Sequence, residues 1–298
     1  MSLQSKPEYR FYPTLLDAYQ NLVDSDAIYD RYYGGMGEPP LSMEEFHEQK
    51  HKELLDKINR VEHVANEAVA KGTCLNEIVD GIVTGRKPAG KVSVKTVRDA
   101  DDYLQAIAPI HPDADPDILR TEAEGFIRKI GRPFILATCE GQAFHFDAAF
   151  CREAARYFRG SLCQYFTAAC LPTAKGTVEL YGYVDYIRQN RVYDLKTTKS
   201  YAFGNYEKGF QRHAYTYCLQ QSGAVKDILG FEYTVYSLRG GSARTPLITG
   251  QQNREVYTSN PRLSRDLLTQ ACENLIEFVN DHIDEIDKQK TKIFNKAI

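Results

Sequence analysis

The sequence predicts an α/β fold, a central mixed β-sheet flanked by helices and extended by a helical N-terminal region and a C-terminal helix. Three observations predict it: apolar residues at helical spacing through the N-terminal third, a β-rich hairpin over residues 177–197, and a long amphipathic stretch over about 262–288.

The elements follow in order. Residues 8–35 are rich in tyrosine, and Leu15, Leu16, Tyr19, Leu22 and Val23 recur at helical spacing with Asp17, Asp24 and Asp26 on the other side. Gly34 to Pro40 is a loop by composition. Ser42 with Glu45 three residues on reads as a capping box, opening a polar helix through about Val61. The next helix runs from about Ala65 to Val83, with Ala68, Leu75, Ile78, Val79 and Ile82 as its apolar side. Thr84 to Val94 is basic and contains glycine and proline, a loop leading to a short strand. After a second loop at 111–117 come a helix over 117–130, strands at 133–138 and 143–148, and a helix at 149–158. Thr177 to Ile187 alternates in β-formers, Gln189-Asn190 turns the chain, and Arg191 to Thr197 returns as the second strand. A helix over about Asn205 to Ser222, a strand at 229–238 and a polar hairpin or loop precede the last helix.

Composition narrows the class. Of 298 residues, 43% are hydrophobic and 26% charged, so a packed core is expected rather than disorder. No stretch reaches the roughly 20 apolar residues of a membrane span, and the opening Met-Ser-Leu-Gln-Ser-Lys-Pro lacks the apolar run of an export signal. A cytoplasmic protein without a membrane partner is the expectation. The seven cysteines are dispersed with no C-x-x-C pair, which argues against a disulfide framework and against a cysteine-held zinc or iron–sulfur site. A net charge of −3 gives no general electrostatic grip on nucleic acid, although a local basic patch remains compatible with it.

The hairpin carries the chemistry. Asp185 sits near the end of one strand; Asp194 and Lys196, two apart on its partner, share one face. The turn at 189–190 sets Asp185 and Asp194 nearly opposite each other. Two close carboxylates repel and favour a cation between them, and Mg²⁺ takes oxygen ligands from one or two carboxylates plus phosphate. Lys196 is placed to orient a water or to neutralise charge in the transition state, as phosphodiester hydrolysis requires. A [D/E]-x-K triplet alone means little, and Glu48-Gln49-Lys50 is a second one, inside a polar helix. Asp194-Leu195-Lys196 differs in lying on a strand, with Gly182-x-x-Asp185 before it and Gln211-x-x-x-Tyr215 after it. The plain alternative is a surface hairpin with a cross-strand ion pair.

In this order and spacing, Gly182 to Asp185, Asp194 to Lys199 and Gln211 to Tyr215 resemble the successive core motifs of RecB-like and RecE-like PD-(D/E)xK exonucleases. The resemblance covers roughly residues 70–220. It implies a restriction-endonuclease-like core over 66–240 within a single nuclease domain, with 1–65 a helical N-terminal region and 241–298 a C-terminal hairpin or loop and helix. It implies that Asp185 and Asp194 hold Mg²⁺ or Mn²⁺ and that Lys196 assists hydrolysis. Gln211 and Tyr215 would line the site and contact DNA, and Thr197, Thr198, Lys199 and Arg212 are candidates for phosphate contact. The family also has an upstream helical Gly-x-x-x-His whose histidine binds the metal. Here Gly72-Thr73-Cys74-Leu75-Asn76 places Asn76 there, a weaker oxygen ligand, with Glu77 and Asp80 as accessory acidic candidates. Phe11 to Leu16 resembles the short segment that opens many RecB-like domains. The implied function is a DNA exonuclease of phage or bacterial recombination, beside a single-strand annealing protein, with a homo-oligomeric ring in some relatives. Two alternatives stay open: an endonuclease of a defence or repair system on the same fold, and a DNA-binding module that has lost catalysis.

Other candidates carry less. His47 and His51, at i,i+4 in a polar helix, lack a nearby third ligand in the sequence and read as a solvated face. His213 lies inside the Gln211-to-Tyr215 motif, within reach of DNA. No Walker-type loop and no G-x-S-x-G elbow is present.

Overall fold

Two β-sheets carry the fold of this chain, whose computed structural model describes residues 6–295. Residues 1–5, which begin the segment read for an export signal, and 296–298 lie outside the described residues. The chain opens with strand β1 (Tyr9–Phe11) and helices α1 (Pro13–Val23), α2 (Ser25–Tyr33), α3 (Met43–Ile58) and α4 (Glu67–Thr84). Then come β2 (Val92–Val97), α5 (Ala100–Ile107), α6 (Pro116–Ile130), β3 (Phe134–Cys139), β4 (Gln142–Asp147) and α7 (Ala148–Tyr157). The second half runs β5 (Leu162–Thr173), β6 (Gly176–Arg188), β7 (Arg191–Thr198), α8 (Gln211–Gln221), β8 (Gly230–Arg239), β9 (Thr249–Thr258) and α9 (Pro261–Asp281).

Local chemistry explains most helix ends. Ser42 and Glu45 form the expected capping box, satisfying two N–H groups that a helix start leaves without partners. Asn66, Asp115, Asp147 and Asn260 cap α4, α6, α7 and α9 with side-chain oxygens. Gly85 and Gly131 close α4 and α6 in the left-handed conformation that a Cβ disfavours.

The larger sheet has six strands and is mixed. β1 pairs parallel with β6 and β7 parallel with β8, while the β5–β6, β6–β7 and β8–β9 pairs are antiparallel. Helices α1, α3, α8 and α9 share one apolar core with β1, β5 and β6, including Leu15, Leu54, Leu180, Leu268 and Leu275. Helices α4 and α7 share another with the inner side of β6 and β7, including Cys74, Ile78, Tyr186 and Leu195. Each such fully buried aliphatic side chain contributes roughly 1.5–3 kcal/mol relative to exposure. The chain is thus an α/β protein with a mixed sheet flanked by helices.

Several elements depart from the expectation. Tyr9 to Phe11 is a strand inside a segment read as helical; Pro13 starts the helix only after three residues have paired with Val178 to Leu180. β5 and α5 were not visible as periodic patterns, and β5 is the full-length partner of β6. β2, β3 and β4 form a separate antiparallel sheet of three strands. β9, polar because it is an edge strand, pairs along the whole of β8 where a hairpin or loop was expected. α8 begins at Gln211 rather than about 205, because residues 203–208 are turns around Gly204 with φ +86°. α9 ends at Asp281, followed by a 3₁₀ turn over Ile283–Glu285 and an extended tail that meets β1, Arg10 N donating to Ile293 O at 2.7 Å. Among the described residues no helix is long and apolar enough to cross a membrane. All seven cysteines are free thiols, most of them buried.

Candidate active site

One edge of β6 is shared. Because β5 pairs along the length of β6, β1 and β7 must divide the opposite edge between them: β1 takes Val178 to Leu180 and β7 takes Tyr186 to Arg188. Tyr181 to Asp185 lie between, paired on that edge with neither. β6 and β7 therefore splay apart just where the pair following Tyr186–Tyr193 would be Asp185–Asp194. Into this gap α8 sends Tyr215; a Cβ on Gly182 would lie 2.6 Å from its Cε1, so only glycine admits the ring.

Asp185, Asp194 and Lys196 meet at the splay. Lys196 Nζ lies 2.6 Å from Asp194 Oδ2, and the main-chain N–H of Leu195 donates to Asp185 Oδ2 at 2.9 Å. Asp194 is buried, whereas Asp185 and Lys196 are half-buried. Burial, reinforced by the neighbouring Asp194 charge, raises the pKa of Asp185 against the pull of Lys196. Burial raises that of Asp194 as well, again opposed by Lys196. For Lys196, burial alone would lower the pKa, but the two carboxylates outweigh it and hold the ammonium charged. The cluster carries two potential negative charges against one positive charge, with oxygen donors only. That donor set fits a hard divalent cation such as Mg²⁺ or Mn²⁺.

Helix α4 borders the same region. Gly72 allows it to approach β7, since a Cβ there would stand 2.6 Å from Thr197 Oγ1. Asn76 Oδ1 is buried with no hydrogen-bond donor in good geometry, which suits an oxygen meant for a cation. Asp80, also buried, binds Arg86 Nη2 at 2.9 Å. Its own pKa is raised by burial, and its charge adds to the field at Asp185. Glu77 is turned away towards the loop after α4, accepting from Ala89 N at 2.8 Å.

The remaining candidates divide. Thr197, Thr198 and Lys199 line a cleft of about 780 Å³ with Lys71, Arg239 and Glu67, whose carboxylate pairs with Lys71 at 2.9 Å. Thr198 Oγ1 also donates to Ser200 O at 2.7 Å, closing the turn after β7. Gln211 is half-buried one helical turn from Tyr215 and helps to hold down that phenol's pKa, which burial raises. Arg212 is engaged elsewhere, donating to Glu207 O at 2.8 Å and lying over the Tyr257 ring, outside the carboxylate cluster. His213 points inward to Ser264 Oγ at 2.8 Å, and burial lowers its pKa to about 4. It is a neutral core histidine and does not reach the cleft.

Three residues were missed. Asp17, expected on the outer side of its helix, turns inward and accepts from Phe210 N at 2.8 Å. Burial raises its pKa to about 6, with Lys196 and Asp194 both within electrostatic reach. Its signal was a carboxylate set among Leu15, Leu16 and Ala18. Glu255 is fully buried and accepts from Gly204 N at 3.1 Å and from the Tyr257 hydroxyl at 2.6 Å. Glu255 thus holds the middle and Asp17 the far end of the segment that follows β7, and Tyr206 in that segment stacks on Tyr233. Gln164 lies in β5 with φ +49°, a left-handed backbone in a strand, and its Nε2 approaches Asp185 Oδ1 at 3.5 Å. Nothing in the sequence marks that conformation.

No protein-family model matches the chain, and no curated protein is significantly similar to it. Among solved structures, one titled "Crystal structure of SSO0001" aligns over 76% of this chain and 86% of that chain, at 10% identity and a TM-score of 0.28. A likeness this loose carries no statement about the function of either the site or the chain.

Proposed function

We propose that the chain is a metal-dependent deoxyribonuclease of the PD-(D/E)xK type on a restriction-endonuclease-like core, acting on DNA from a free end. The observation that carries this reading is the meeting of Asp185, Asp194 and Lys196 where β6 and β7 part. Asp185 and Asp194 would hold Mg²⁺ or Mn²⁺, with the amide oxygen of Asn76 as a further donor. An ion held there would supply Lewis-acid polarisation of a phosphate oxygen and lower the pKa of an attacking water. Lys196, kept protonated by its two carboxylates, donates N–H to the water or to the phosphate oxygen on which charge develops. Tyr215 fills the gap beside Gly182 and excludes bulk water from that side. Lys199 and Arg239 give the cleft at the end of β7 cationic groups, Lys71 being paired with Glu67, and Thr197 and Thr198 add hydroxyls, a lining suited to a phosphodiester backbone.

A second reading, a DNA-binding module without catalysis, draws on Asn76 at the position of the family's histidine and on Asp80 being committed to Arg86. One assay separates the readings: linear duplex, single-stranded and closed circular DNA, each with and without Mg²⁺ or Mn²⁺. The exonuclease reading expects metal-dependent loss of linear DNA only. Cleavage of closed circles would make it an endonuclease, and binding without cleavage in every metal would favour the module.

A further inference from the structure

Where helix α3 meets the end of α9, a different donor set gathers. His51 on α3, His282 at the end of α9 and Glu285 in the 3₁₀ turn each bring one ligand atom to within 4.8 Å of the others. Among the described residues this is the one group of histidine, cysteine and acidic side chains so assembled. His47, one turn before His51, is not part of it; its Nδ1 lies 2.9 Å from Ser25 Oγ. The two histidines at i,i+4, read from the sequence as a solvated face, thus part company, and the third ligand type missing from the local sequence comes from more than 230 residues away.

Three features prepare the group for a ligand. His282 Nδ1 is 2.8 Å from Phe278 O. A carbonyl oxygen only accepts, so Nδ1 carries the proton and Nε2 is left with a lone pair to give. Metal-bound histidines are oriented in this way by a carbonyl or carboxylate behind the ring. Phe278 then stacks on His282 at 4.1 Å between centroids and meets the His51 ring edge-on at 5.5 Å, so one aromatic wall fixes both imidazoles. Finally, Asn59 clamps the backbone that carries Glu285: its Nδ2 donates to Glu285 O at 3.0 Å and its Oδ1 accepts from Asp287 N at 2.8 Å.

We infer that His51, His282 and Glu285 form a binding site for a transition-metal ion of the zinc class, which clips the C-terminal segment to α3. Two imidazoles and one carboxylate are a borderline donor set that favours Zn²⁺ or Co²⁺ over Mg²⁺. Donors about 2.0–2.2 Å from a tetrahedral zinc stand roughly 3.5 Å apart, so ion binding would draw the three together from their present spread of up to 4.8 Å. The fourth position is left to water. The clipped segment continues through buried Ile286, Thr291 and Ile293 to its contact with Arg10 on β1, so the ion braces the tail against the sheet that holds the cleft. This site shares no residue with Asp185, Asp194 or Lys196 and stands whether or not the chain is a nuclease.

The test is titration of the full-length, chelator-treated protein with Co²⁺ and Zn²⁺. The inference expects visible Co²⁺ absorption of a four- or five-coordinate site saturating at one equivalent, and a Zn²⁺-dependent rise of a few degrees in melting temperature that Mg²⁺ does not reproduce. Glu285→Gln, an exposed change with no bearing on folding, is expected to weaken Zn²⁺ binding at least about tenfold, and His51→Ala with His282→Ala to abolish it. Asp185→Asn is expected to leave it unchanged. Featureless Co²⁺ spectra with no Zn²⁺ effect on melting would reduce the cluster to aromatic packing, and equal binding by Glu285→Gln and the double histidine variant would overturn the assignment.

Discussion

Asp185 Oδ2 accepts a hydrogen bond from the main-chain N–H of Leu195, the residue between Asp194 and Lys196, at 2.9 Å. This single contact locks the first carboxylate of the cluster to the strand that bears the other two groups. It replaces a ladder hydrogen bond at the point where β6 and β7 stop pairing. The cluster therefore does not rely on side-chain rotamers alone to keep its three members together, as a preorganised site requires.

Asp17 ties α1 to the start of α8. Its pKa is raised from 3.8 to about 6, chiefly by burial, so the folded state binds its proton more tightly than the unfolded state. The contribution of Asp17 to stability is therefore fully present below about pH 4 and is lost as pH rises through about 6, by up to about 3 kcal/mol. Asp17→Asn keeps an acceptor for Phe210 N and removes the charge. It should melt higher than the parent at pH 7.5, with the difference shrinking towards pH 4; a pH-independent difference in melting temperature would contradict this.

Gly182→Ala puts a methyl 2.6 Å from the Tyr215 ring. The expected loss is about 1–3 kcal/mol, measurable by urea unfolding. Combining it with Tyr215→Ala removes the clash, so the double variant should be less destabilised than the two single losses added together. Strict additivity would mean that the ring does not occupy the gap.

Gln164 holds a left-handed backbone and touches Asp185. Gln164→Gly relieves the backbone cost of about 1 kcal/mol or more while removing the amide. Stability is expected to hold or rise while nuclease activity falls several-fold; unchanged activity would assign Gln164 to the fold alone.

Asn76 contributes a buried oxygen with no donor. Replacing it by the imidazole that the resembled family uses should favour Mn²⁺ over Mg²⁺, since nitrogen ligands suit the softer ion. Asn76→His is expected to preserve or raise Mn²⁺-supported cleavage relative to Mg²⁺-supported cleavage. A loss with both metals, in a folded protein, would place this stretch of α4 outside the metal site.

How far the sequence reaches depends on where each signal lies. The β6–β7 hairpin, the α3 capping box and the α4 helix were legible because their patterns are local: alternation, Ser-x-x-Glu, and apolar spacing between Asn66 and Gly85. The grouping of Asp185, Asp194 and Lys196 followed from strand periodicity and a two-residue turn. β5 was not legible because Ala168, Ala169 and Cys170 dilute its β-forming residues, and β9 because an edge strand keeps polar side chains on its open side. Asp17 stood out only as a carboxylate among apolar neighbours, and Gln164 and Glu255 not at all, since each acts through a partner far along the chain: Phe210, Asp185 and Gly204. The sharing of the β6 edge between β1 and β7, which opens the site, is likewise a property of tertiary pairing alone.

The most direct test of the acidic pocket is the initial rate at which the wild-type chain, Asp194→Asn and Lys196→Ala degrade end-labelled linear duplex DNA in Mg²⁺, with melting curves recorded in parallel. Each variant is expected to melt within a few degrees of the wild type and to cleave at least about 100-fold more slowly. Wild-type rates in either folded variant would contradict this.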